Sequence, residues 1–184
     1  RVEREGNQVR MRLSDGTTSL FDEVILACHA NQSLSLLESP SAEEVALLQA
    51  FPYENNMVSL HSDDSHLPKR RTARASWNAY LSNKQNENAL ITYDMNILQN
   101  LSTTEPFCVS LNQKNGIPDE LHHADFQFSH PTYHSGRKRA QLGHKYFIRN
   151  RGISLCGAYW GYGFHEDGLV LSLIHISEPT RPNE

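Results

Sequence analysis

Residues 157–168, Gly-Ala-Tyr-Trp-Gly-Tyr-Gly-Phe-His-Glu-Asp-Gly, place four of the chain's ten glycines and several aromatics directly after the apolar run Ile153 to Ala158. That order constrains the fold more than any other stretch. A buried strand is expected to run into a turn whose backbone is left bare, and a helix is expected to begin near Glu166. Glycine lets backbone N–H groups approach a ligand, and the first turn of a helix directs unpaired N–H groups and a positive dipole end outward. The end of a strand that leads into a helix is a common ligand position. A glycine-rich structural turn, with Glu166 and Asp167 acting as helix starters, is the other reading of the same residues.

The remaining pattern is mixed. Gln8 to Leu13 alternates with period 2, Ser14-Asp15-Gly16-Thr17 supplies a turn, and Leu20 to Ala27 reads as a second strand whose apolar end is buried on both faces. Ser41 with Glu44 three residues on forms a capping box for a short helix that Pro52 closes. Between 53 and 129, short strands at Asn56–His61, Arg74–Tyr80, Ala89–Met95, Phe107–Asn112 and Asp125–Ser129 alternate with polar loops, among them 83–88, and suggest a meandering antiparallel sheet. A basic, weakly helical stretch follows, with Arg137, Lys138, Arg139 and Lys145.

Charge and composition exclude several classes. With 17 basic and 21 acidic residues in 184, the formal charge is −4, which gives no electrostatic support for nucleic-acid binding. Aliphatic runs such as Val24 to Ala27 are far short of the ~20 apolar residues of a membrane span. Cys28, Cys108 and Cys156 form no CxxC, which fits free thiols in a reducing, cytoplasmic compartment. Ten histidines raise a metal hypothesis, and His130 and His134 have i, i+4 spacing, but Pro131 and the absence of a Glu after the first His argue against a site, so no metal is expected. No Gly-x-Ser-x-Gly occurs, and Cys28 reads as a core thiol rather than a nucleophile.

Both ends read as cut. The chain begins with Arg1 in what looks like the end of a strand, so a preceding segment is expected. Leu171 to Arg181 can be written in codons that look like a transposase sequencing adapter, and 171–184 are expected to be non-native despite the apolar Leu171, Leu173, Ile174 and Ile176.

Taken together, the block Gly157 to Gly168, the run Phe21 to Ala30, Ala75-Ser76-Trp77-Asn78, Thr92 to Asn96 with Leu98-Gln99, and His130-Pro131 resemble FAD-dependent amine-oxidase-type oxidoreductases. The likeness is to the bacterial predicted NAD/FAD-binding branch, similar to the flavin domain fused to plant cyclopropane-fatty-acid synthases. It extends over nearly all of 1–170. The resemblance implies an α/β fold, α+β within this fragment, as the C-terminal part of a two-domain flavoprotein. Residues 1–27 and 148–170 would belong to the FAD-binding domain and 28–147 to the substrate domain.

It further implies that Gly157, Ala158, Tyr159, Gly161, Tyr162, Gly163, Phe164, His165, Glu166, Asp167 and Gly168 line the cofactor FAD, with backbone amides of 165–168 at the flavin N1/C2=O edge. Tyr159 stands where the wider family has an acidic residue. No G-x-G-x-x-G occurs in the 184 residues, and Gly157-x-x-x-Gly161-x-Gly163 has the wrong spacing. The Rossmann βαβ unit is therefore expected upstream of Arg1, and the fragment alone is expected to bind FAD poorly and to be inactive.

Trp77, Asn78, Tyr93 and Asn96 are candidates for the substrate side, with core packing as the alternative; the sequence names no catalytic residue. The implied reaction is hydride transfer to FAD from an amine or lipid-like substrate. The alternative is a non-catalytic flavin-binding or partner-binding scaffold beside a lipid-modifying enzyme. A short basic patch, Lys69-Arg70-Arg71, reads as a solvated loop or a contact for an acidic partner or headgroup.

Overall fold

The computed structural model describes residues 1–80, 90–113 and 116–177, the last six by their helical backbone alone. The expected loop 83–88, Ala89 and residues 178–184 lie outside the described residues. Ten strands and five helices are described: β1 (Val2–Glu5), β2 (Gln8–Arg12), β3 (Thr18–Phe21), β4 (Val24–Leu26), α1 (Ala30–Leu36), α2 (Ala42–Gln49), β5 (Tyr53–His61), β6 (Trp77–Tyr80), β7 (Leu90–Asp94), α3 (Met95–Leu98), β8 (Cys108–Leu111), β9 (His122–Pro131), α4 (Gly136–Gln141), β10 (Ile153–Leu155) and α5 (His165–Ser177). They fall into two compact units, 1–53 with 131–184, and 54–130.

In the first unit, β1, β2 and β3 form an antiparallel sheet in that order. The turn at 14–17 closes as the sequence indicates, with the Asp15 carboxylate accepting from the Thr17 amide at 2.8 Å. The expected single strand from Leu20 to Ala27 does not form. It breaks at Asp22-Glu23, and Val24–Leu26 leaves the hairpin to pair in parallel with β10, in register Val24↔Ile153 to Leu26↔Leu155. The break has side-chain anchors: Glu23 accepts from Ser154 Oγ at 2.7 Å and pairs with Arg149 at 3.1 Å. Its far end is not buried on both faces, since Ile25 is exposed, whereas all of β10 is buried.

The capping box at Ser41 is present, and its Glu44 does more than cap. Fully buried, Glu44 accepts from the Ser41 amide at 2.8 Å and pairs with Arg4 of β1, tying helix to sheet. The core gathers Val9, Leu48, Phe51, Ile153, Leu155 and Trp160. α5 continues through Leu171, which packs against this cluster, so the helix spans the start of the segment read as adapter-derived.

The two compact units divide at 53/54 and 130/131. Residues 28–53 and 131–147 pack with the first unit, because Phe51 meets Tyr159 and Trp160, and Arg137 bonds to the Tyr159 and Gly161 carbonyls. In the second unit the sheet order is β6-β7-β8-β5-β9. Three of its neighbours, β6/β7, β7/β8 and β5/β8, are antiparallel, and β5 takes the place between β8 and β9, so the meander is interrupted by the earliest strand.

Among the described residues no helix is long and apolar enough to cross a membrane.

Candidate functional site

β4 and β10 end side by side, and the Cys156 amide extends the pairing to Leu26 O at 2.9 Å. Beyond these carboxyl ends the chain turns twice into a helix, at Cys28-His29 into α1 and through 157–164 into α5. A crevice at the carboxyl ends of parallel strands is where open α/β sheets place ligands. The start of α1 is held by Tyr53, whose hydroxyl accepts from the Ala30 amide at 3.1 Å while its ring stacks on His29 at 4.5 Å. Burial raises the Tyr53 phenol above its ordinary range, so it stays neutral there.

The glycine-rich segment is built largely for its own folding. A side chain at Gly157 would overlap the Tyr159 ring and crowd Cys28 O, and one at Gly161 would enter the space of the Asp167 carboxylate. Gly163 has φ +91°, a left-handed conformation that glycine adopts without strain. Only Gly168 among the four leaves open space around its Cα.

Ala158–Trp160 forms a 3-10 turn, with the Trp160 indole donating to Leu155 O at 3.0 Å. Tyr159 and Trp160 turn into the core beside Phe51, so neither ring is offered to a ligand. The Tyr159 hydroxyl is buried without a partner, and burial holds its phenol far above the usual range.

The outward side of the loop carries Tyr162, Phe164, His165 and Glu166, all exposed. Asp167 is a helix starter: its Oδ2 accepts from the Tyr162 and Phe164 amides at 3.0 and 2.9 Å. The first amides to bond back into α5 are those of Asp167 and Gly168, both to Phe164 O. The His165 and Glu166 amides precede that point, at the positive end of a 13-residue helix. An exposed loop edge with two leading amides, flanked by aromatic side chains and by open space at Gly168, fits the electron-rich edge of a flat ligand.

Two residues that the sequence reading passed over organise this loop. Arg137 and Gln141, one turn apart on α4, both donate to the carbonyls of Tyr159 and Gly161, at 3.2 and 2.8 Å from Arg137 and 3.1 and 2.7 Å from Gln141. Their i, i+4 spacing inside the basic stretch was the available signal. Its burial was not legible: Arg137 sits in a basic, weakly helical stretch, and it is buried.

In the second unit, Trp77 and Tyr93 are cross-strand partners on one sheet face, with ring centroids 5.1 Å apart at 73°. Burial raises the Tyr93 phenol. The register continues this face through Val109 and Leu60, and through Ala79, Ile91, Leu111 and Val58, so it is apolar in both rows. Asn78 lies on the opposite face and bonds to Ala75 and to Thr92 O. Asn96, in α3, bonds to Glu105 O and the Phe107 amide, closing the loop that follows. The four substrate-side candidates therefore separate into one aromatic pair and two structural amides.

That opposite face is buried and polar: Asn78, Thr92, Ser110 and Ser59 form one row, with His61 against Ser110 at 2.9 Å. His130 is in a strand and His134 in the loop before α4, so the helical pair does not form. Among the described residues no group of three or more metal-ligating side chains is placed together. Burial pushes the Cys108 thiol up to about 12 and also raises Cys156, which leaves both unreactive as thiolates.

No family model matches the sequence, and no curated protein matches it. Solved structures do match in fold. A CLA-producing fatty acid isomerase from P. acnes aligns with TM-score 0.56 and 10% identity over 95% of this chain. A reduced UDP-galactopyranose mutase aligns with TM-score 0.59 and 11% identity over 96%. Cyclohexylamine oxidase from Brevibacterium oxydans aligns with TM-score 0.59 and 9% identity over 96%. The chain spans 45 to 46% of the length of these proteins. At such identities the likeness shows that the chain shares their mixed α/β fold.

Proposed function

We propose that this chain is part of an FAD-dependent oxidoreductase, with the 161–168 loop and the first turn of α5 against the flavin. The observation that carries this reading is the placement of the His165 and Glu166 amides at the exposed start of α5, beyond the carboxyl ends of paired parallel strands. Bound FAD would supply the hydride acceptor, and the residues of this chain orient it and its charge. Negative charge gained on reduction at the N1/C2=O edge is favoured by the helix dipole and the leading amides. Tyr162, Phe164 and His165 flank that edge, and Tyr159 contributes packing in place of an acidic contact.

The apolar sheet face favours a hydrocarbon-bearing substrate over a small polar amine. Its rows Trp77-Tyr93-Val109-Leu60 and Ala79-Ile91-Leu111-Val58 contain no charged residue. One structural neighbour is a fatty acid isomerase and another a cyclohexylamine oxidase, so the shared fold is compatible with either substrate class. The test is to purify the full-length protein, record flavin absorbance, and seek anaerobic bleaching with amines and with unsaturated lipids. Bleaching by lipid supports the reading. A yellow protein that neither class reduces indicates a non-catalytic scaffold, and a colourless protein that takes up no FAD overturns the flavin assignment.

A further inference from the structure

We propose that Arg137 is a positioning residue of this flavin site, holding the 159–161 backbone and supplying a buried positive charge behind the ligand-facing loop. The proposal rests on the flavin reading above. Arg137 is 4% exposed, and its Nη2 donates to Gly161 O at 2.8 Å and Tyr159 O at 3.2 Å. Its Nε and Nη1 are buried and have no hydrogen-bond partner. Among the described residues no carboxylate lies within salt-bridge distance of it. The Tyr133 ring covers the guanidinium at 4.0 Å, with Phe51 at 5.9 Å, which balances part of the charge without satisfying the donors.

Holding the loop does not require this charge. Gln141 donates to the same two carbonyls at 2.7 and 3.1 Å, so a neutral amide already turns them toward α4. A guanidinium stays ionised in proteins, and leaving one buried and unpaired is costly. What it adds beyond Gln141 is a positive field in a low-dielectric setting, where charge acts more strongly than in water. Gly161, its direct partner, opens the segment whose far end bears the leading amides of α5. A ligand edge that gains electrons there is stabilised by the helix end in front and by Arg137 behind.

The test uses the full-length flavin-bound protein and reads the two-electron midpoint potential by equilibration with a reference dye. Arg137→Met is expected to lower the potential by about 30 mV or more, a tenfold loss of preference for the reduced form. Arg137→Lys is expected to restore most of it, whereas Gln141→Leu, which removes the neutral donor, shifts the equilibrium less than threefold.

Should Arg137→Met fail to fold, exposed position 133 carries the same test, because Tyr133→Glu neutralises the guanidinium and Tyr133→Gln does not. The Glu variant is expected to fall at least about fivefold below the Gln variant. Equal potentials for that pair, or equal shifts from Arg137→Met and Gln141→Leu, overturn the proposal while flavin content remains normal. Native protein that takes up no FAD removes both this proposal and the reading beneath it.

Discussion

The Asp167 carboxylate occupies the space into which a side chain at position 161 would project, and from there it accepts the amides of Tyr162 and Phe164. Gly161 is thus required by Asp167, whose carboxylate leaves no room for a side chain at that position. Gly161→Ala is expected to destabilise by about 1–3 kcal/mol through overpacking, and Asp167→Ala by about 0.5–2 kcal/mol through loss of the cap. Urea unfolding of the single and double variants checks the pairing. The double variant should be more stable than the sum of the singles predicts, by on the order of 0.5–3 kcal/mol for residues in contact.

Glu44 connects three elements at once: the start of α2, Ser41 and the Arg4 guanidinium of β1. Glu44→Ala leaves Arg4, itself mostly buried, without its carboxylate and is expected to cost about 3–5 kcal/mol. Glu44→Gln retains an acceptor for the Ser41 amide and is expected to cost less. Thermal unfolding monitored by circular dichroism separates the two.

His61 is fully buried in the second unit, with Nε2 bonded to Ser110 and Nδ1 unpartnered. Burial, reinforced by the neighbouring His66, lowers its pKa below 6.5. A lowered value means that the folded state favours the neutral ring. The stability it contributes is therefore complete above pH 6.5 and is lost as the pH falls through the folded value. Unfolding midpoints measured from pH 7.5 down to 5 should decline in the native chain, and His61→Gln should flatten that decline.

Asp63 acts in the opposite pH range. Desolvation raises its pKa, but the Ser65 amide and hydroxyl at 2.9 Å each, with His66 and His61 nearby, outweigh that and lower it below 3.8. Its contribution is present above pH 3.8 and lost as the pH falls through the lower folded value. Asp63→Asn is expected to reduce stability at neutral pH and to converge on the native chain in strong acid, as followed by acid titration of tryptophan fluorescence.

Trp77 and Asn78, adjacent in sequence, face opposite sides of their sheet and should respond differently. Trp77→Ala removes an exposed ring whose edge contact with Tyr93 contributes about 0.5–1.5 kcal/mol. If the full-length protein oxidises an unsaturated lipid as proposed, Trp77→Ala should raise its KM at least about fivefold, with kcat little changed. Asn78→Ala breaks bonds to Ala75 and Thr92 O and should lower the unfolding midpoint while leaving KM unchanged.

Features governed by neighbouring residues were legible in the sequence. The 14–17 turn, the Ser41 capping box and the strand-turn-helix order of 153–168 depend on local dihedral preferences and on side chains within a few residues. Short runs between polar loops also located each described strand of the second unit to within a few residues, though not the insertion of β5 between β8 and β9.

What the tertiary structure alone decided involves partners distant in sequence. Leu20 to Ala27 looked like one strand, but Ser154, Arg149 and the β10 backbone draw Val24–Leu26 away from the hairpin. The glycines at 157, 161 and 163 suggested room for a ligand, and most of that room is taken by Tyr159, Asp167 and a left-handed turn. Arg137 belongs to a basic, weakly helical stretch in the sequence, and it is buried on two carbonyls 22 and 24 residues away. Periodicity reports which residues can share a face; which face is buried, and beside which charge, is set by contacts whose loop-closure cost only the assembled core offsets.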